Sequence, residues 1–150
     1  MKRIIRIGFL VGLALGLVVF LFFGWTVIGS RVETGFHRAA LAGLPRTASD
    51  ISFYRRRDLT NVFAYEFRIS RSDFEALAQG RGWPLRPSDR GVGITRFTNY
   101  LPKGHPERMK PFYVIATKWL FFEQVRPGDG CIYAMFEEAS SKAYVYEGDQ

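Results

Sequence analysis

From Ile7 to Ser30 the chain runs for 24 residues without a formal charge, and Phe, Leu, Val and Ile fill most of that run. As a helix rising about 1.5 Å per residue it would reach about 36 Å, against a bilayer hydrocarbon core of roughly 30 Å. Inside hydrocarbon a segment must satisfy its own backbone N–H and C=O groups, which a helix does and a lone strand cannot. The run therefore predicts one transmembrane helix over 7–30, behind a basic tail over 1–6 that holds Lys2, Arg3 and Arg6. A cleavable signal has a shorter apolar stretch, about 7–15 residues, closed by a small-x-small site. Val27-Ile28-Gly29 is the best-placed approximation to one, but the length favours an uncleaved signal anchor.

Two further expectations rest on that helix. Lys2, Arg3 and Arg6 outweigh Arg31 and Arg38 across the run, which places the N-terminus in the cytoplasm and the remainder outside, at the cell membrane of a bacterial envelope. Gly8, Gly12 and Gly16 recur every four residues and form one stripe of small residues, so a homodimer could pack through the anchor. Val32, Phe36, Ala39, Ala40 and Gly43 continue at helical spacing and predict a juxtamembrane helical stalk over 31–44, ended by Leu44-Pro45.

Residues 45–150 read as a small α+β domain. Ile51, Phe53 and Arg55 alternate with Ser52, Tyr54 and Arg56, and Phe63, Tyr65, Phe67 and Ile69 alternate with Ala64, Glu66 and Arg68, which predicts a hairpin. Ser72 and Glu75 have the capping-box form ahead of Phe74, Leu77 and Ala78, so a short helix follows and stops at Gly80. Glycines, prolines and arginines make 81–93 an irregular connection, Thr95–Leu101 is a candidate edge strand, and 102–111 is a proline-bounded loop. A meander closes the chain: Tyr113–Gln124, a turn at Pro127-Gly128-Asp129-Gly130, Cys131–Glu137, a turn at Ser140-Ser141, and Ala143–Glu147. The expected order is a transmembrane helix, then ββα, a candidate strand and βββ: an antiparallel sheet with one packed helix.

Charge and composition narrow the function more by exclusion than by assignment. The net charge of +7 is uneven, with the basic excess between Arg31 and Lys118 and an acidic C-terminal end. Such a basic face can meet anionic lipid, an acidic envelope polymer or nucleic acid, of which nucleic acid is the least favoured. One cysteine, Cys131, excludes an intrachain disulfide and a thiolate zinc site, and reads as a small buried strand residue. No acidic loop has EF-hand spacing, Gly91-Val92-Gly93 lacks the rest of a phosphate loop, and neither metal nor cofactor is expected. His37 and His105 stand apart from any nucleophile signature, so no catalytic residues are assigned.

The densest charge in the domain is Arg55-Arg56-Arg57, at the end of the expected hairpin. Arginine forks bind carboxylate or phosphate bidentately, which makes these three the candidate site for an anionic partner. The leading expectation is a single-pass membrane-anchored module that binds another envelope component without catalysis. Two alternatives stand beside it: a small anchored enzyme using His105 and Glu107 as base and acid, and a basic domain lying on anionic lipid.

Overall fold

Alternation through Phe63-Ala64-Tyr65-Glu66-Phe67 puts three aromatic rings on one face of this stretch, and the fold is built outward from it. The computed structural model describes residues 12–21, 31–57, 61–89, 92–110, 113–116, 118–126 and 130–148. In chain order these form α1 (12–21), β1 (Arg31–Arg38), β2 (Ser49–Arg57), β3 (Val62–Arg68), α2 (Arg71–Gly80), β4 (Arg86–Ser88) and β5 (Val92–Thr95). Two 3₁₀ turns follow, Phe97–Tyr100 and Pro106–Met109, then β6 (Tyr113–Ala116), β7 (Trp119–Arg126), β8 (Gly130–Glu137) and β9 (Lys142–Gly148). Seven strands make one antiparallel sheet in the order β1-β2-β3-β9-β8-β7-β4, and β5 and β6 form a separate two-stranded ribbon.

Both faces of the large sheet are covered. On the first, Ile51, Phe53, Tyr65, Phe67, Phe122, Phe136 and Val145 pack beneath Phe74 and Ala78 of α2 and beneath Trp83. Ser70 caps that helix, its Oγ accepting the Asp73 N–H at 3.2 Å, so the helix begins ahead of the Ser72 start that the capping-box pattern suggested. On the second face, Phe97 and Leu101 cover Tyr54, Val62 and Ala64, while Ile94 packs with Trp119, Met135 and Tyr144. The segment from β5 to β6 thus caps the sheet face that carries Tyr144 and Tyr146 of β9.

Several expectations are corrected. Among the described residues no helix is long and apolar enough to cross a membrane. The described part of the apolar run is α1, whose ten residues would reach about 15 Å, half of a hydrocarbon core. Among the described residues the expected transmembrane helix and signal anchor are therefore not seen; of the run 7–30, residues 7–11 and 22–30 lie outside the described residues. Gly8 lies outside the described residues; Gly12 and Gly16 lie on α1, where an added Cβ would meet nothing within 4 Å.

The helical stalk expected over 31–44 is also absent, since Arg31–Arg38 is the edge strand β1. Pairing with β2 supplies backbone partners along its length and overrides a weak local periodicity. Gly35 permits this pairing, because the Phe53 ring lies across it where a Cβ would collide. Thr95–Leu101 is not one strand but the end of β5 followed by a 3₁₀ turn, and Tyr113–Gln124 divides between β6 and β7 in different sheets.

The register slips between Gly35 and Arg38 on β1 and between Ser49 and Ser52 on β2, and both slips hold a non-glycine residue at positive φ: His37 at 50° and Asp50 at 52°. Their side chains meet, His37 Nδ1 to Asp50 Oδ1 at 2.5 Å, with Arg68 Nε 3.5 Å from the other carboxylate oxygen. The His37 hydrogen bond holds the Asp50 pKa below the ordinary value, and the charges of His37 and Lys142 add to it. A carboxylate with a depressed folded pKa stabilises the fold above its unfolded value, about 3.9, and loses that contribution as pH falls through the folded value. Asp50→Asn is therefore expected to lower the thermal midpoint at pH 7 and to leave it unchanged well below pH 3. An equal loss at both pH values would place the effect in the backbone strain rather than in the charge.

Candidate functional site: an arginine-lined cleft at one end of the sheet

The three consecutive arginines close β2, and strand alternation divides them between the faces. Arg55 and Arg57 share the first face with Phe53, and Arg56 lies on the other. Register places Arg31 of β1 directly opposite Arg57, and Glu33 opposite Arg55. Like charges directly opposite on neighbouring strands are destabilising, so the Arg31–Arg57 pair is a local cost to the sheet. Arg55 is held in place: its guanidinium carbon sits 4.2 Å above the Phe63 ring and Nη1 is 3.7 Å from Glu33.

The end of the sheet carrying these residues encloses a concavity of about 370 Å³. Arg55, Arg56 and Arg57 form one wall with Asn61, and Val62, Phe63 and Ile132 give it an apolar floor. Gln124, Cys131, Glu147 and Gly148 close the far side. Its volume is within the range of small-ligand clefts, roughly 300–1,000 Å³, near the lower end. These residues meet because β9 lies between β3 and β8, which brings the C-terminal strand beside the hairpin end.

Glu147, the carboxylate in the cleft, is already engaged. Its Oε1 accepts from the Tyr65 hydroxyl at 2.9 Å and from Arg81 Nη1 at 2.8 Å. Arg81 also donates to the Gly43 carbonyl at 3.0 Å and lies over the Trp83 ring at 4.8 Å. Burial and the adjacent Glu147 charge push the Tyr65 pKa well up, so its hydroxyl remains a donor at any physiological pH. Arg81 thereby offsets the acidic side chain of the cleft. Asp58 lies outside the described residues.

The other candidate pair is arranged differently from an acid–base couple. His105 stacks on Phe36 with ring centroids 5.0 Å apart, and its Nδ1 accepts the Glu107 backbone N–H at 3.1 Å. The Glu107 carboxylate turns to Lys110 at 2.6 Å, and this hydrogen bond lowers its pKa. Both side chains cap and pin the 3₁₀ turn that contains them. Sequence reading missed Gln124 and Glu147 as parts of the arginine site, since their membership depends on strand order rather than on local pattern. Compared with known proteins, the chain matches no family model, no curated protein and no solved structure.

Proposed function

We propose that this chain is a non-catalytic binding module that takes an anionic group of a partner into the cleft at the end of its sheet. The observation that carries this reading is the gathering of Arg55, Arg56 and Arg57 around one concavity, with Arg31 set opposite Arg57. Arginines so placed repel one another, and a carboxylate or phosphate between them offsets that repulsion through bidentate hydrogen bonds. Arg55 is preorganised for the task by Phe63, which limits the conformational entropy lost on binding.

The test titrates the full chain with medium-length inorganic polyphosphate at several salt concentrations. Arg57→Gln removes an exposed guanidinium from the cleft and is expected to weaken binding about tenfold, worth about 1.4 kcal/mol, with the thermal midpoint unchanged or slightly raised by relief of the Arg31–Arg57 repulsion. Arg86→Gln, on the exposed strand at the opposite edge of the sheet, serves as the control and should leave the affinity at the wild-type level. Equal losses from both substitutions would reduce the interaction to overall charge and overturn the reading.

A further inference from the structure

The arginine cleft does not stop at the end of the sheet. Cys131 also lines a second concavity of about 390 Å³, on the opposite face of the sheet beneath the β5–β6 ribbon. Its walls carry the side chains of Tyr100, Tyr113, Tyr133 and Tyr146, with Thr95. Register explains the continuity. Cys131 pairs with Gly148 at the mouth of the cleft, and two residues inward, roughly 7 Å along the strands, Tyr133 pairs with Tyr146. The Tyr146 hydroxyl reaches back so near Gly148 that an added Cβ there would lie 2.5 Å from it. Glycine at 148 therefore makes room for the Tyr146 side chain, and Cys131 is the residue that lines both hollows.

The chemistry of the second hollow differs from that of the first. Among the described residues its lining carries no charged side chain but four phenols, a Thr hydroxyl and aromatic faces. Burial raises the Tyr100 and Tyr133 pKa values, so both phenols stay neutral donors. The rings already touch one another: Tyr100 stacks on Tyr146 with centroids 5.8 Å apart, and Tyr133 lies 6.1 Å from Tyr146. What remains is ring surface edged with hydroxyls, which suits the C–H face and hydroxyls of a saturated sugar ring. Tyr113 extends that surface, half exposed, with its ring laid over Gly93 where a Cβ would collide.

We propose that the two hollows act together as a site for an acidic glycan, a sugar chain bearing carboxylate groups. This rests on the anion-binding reading above. A carboxylate of one sugar sits among Arg55, Arg56 and Arg57, and a neighbouring ring lies on the tyrosine surface, its hydroxyls exchanging hydrogen bonds with Tyr133, Tyr146 and Thr95.

Calorimetric titration of the full chain with three probes separates the possibilities: trigalacturonate, its fully methyl-esterified form, and triglutamate as an anion without sugar rings. Trigalacturonate is expected to bind at least about tenfold more tightly than either of the others. Tyr113→Ala, at a half-exposed position, should erase most of the advantage over triglutamate while leaving triglutamate affinity unchanged. Equal affinity for trigalacturonate and triglutamate would overturn the glycan inference and leave anion binding standing. Equal affinity for trigalacturonate and its ester, or no binding of any probe, would overturn both.

Discussion

Arg96→Met is expected to lower the folding stability by about 3–5 kcal/mol, read from urea or thermal denaturation, because it strips a buried carboxylate of its main partner. Glu66, only 5% exposed, lies on the face of β3 that the β5–β6 segment covers. Arg96 meets it with a two-pronged contact, Nε to Oε2 at 2.7 Å and Nη2 to Oε1 at 2.5 Å, and Lys142 Nζ adds a third bond at 3.0 Å. Burial opposes the Arg96 charge, yet the hydrogen bonds and charge of Glu66 outweigh it and raise the Arg96 pKa. Burial, aided by the same carboxylate, pushes Tyr144 up to about 12. Arg96 immediately precedes the 3₁₀ turn that seats Phe97 on the sheet, so the pair also fixes how the covering segment docks. Combining Arg96→Met with Glu66→Leu should recover much of the loss, since no buried carboxylate is then left behind. A loss below 1 kcal/mol in the single variant would show that Lys142 and water suffice for Glu66.

Phe74→Ala should cost a similar amount, about 3–5 kcal/mol, for a different reason. Phe74 is fully buried and stacks on Phe136 with centroids 5.4 Å apart, and with Ala78 it forms the buried stripe by which α2 lies on the first face. A ten-residue helix is marginal by itself, so its order depends on that contact. Phe74→Leu, which keeps most of the apolar volume, should cost less than half as much, and hydrogen exchange in α2 should follow the same ranking. Equal losses from the two substitutions would point to ring stacking rather than cavity volume as the main contribution.

How much of this was legible beforehand follows from how local each signal is. The alternation from Phe63 to Phe67 marks β3 because both faces of the sheet are buried, and the Phe74, Leu77 and Ala78 spacing marks α2 because one helical face is. The arginine triplet is visible as sequence, but its cleft is not, since Glu147 and Gln124 arrive there through strand order. The edge strand β1 escapes a local reading because Phe36 and Gly35 owe their positions to β2 and to the Phe97 cluster, not to neighbours three or four residues away. His37 and Asp50 likewise carry no sequence mark of positive φ. The apolar N-terminal run is the plainest signal in the sequence, yet among the described residues it gives only α1, too short to cross a membrane.

The central claim is that anions are taken at one end of the sheet and not over the basic surface at large. An amide-resolved NMR titration of the full chain with inorganic polyphosphate tests it most directly. Shifts concentrated at Arg55, Arg56, Arg57, Asn61, Gln124, Cys131 and Gly148, saturating with a single affinity, are the expected result. Comparable shifts at Arg46, Arg86 and Lys103, or none at the cleft, would contradict it.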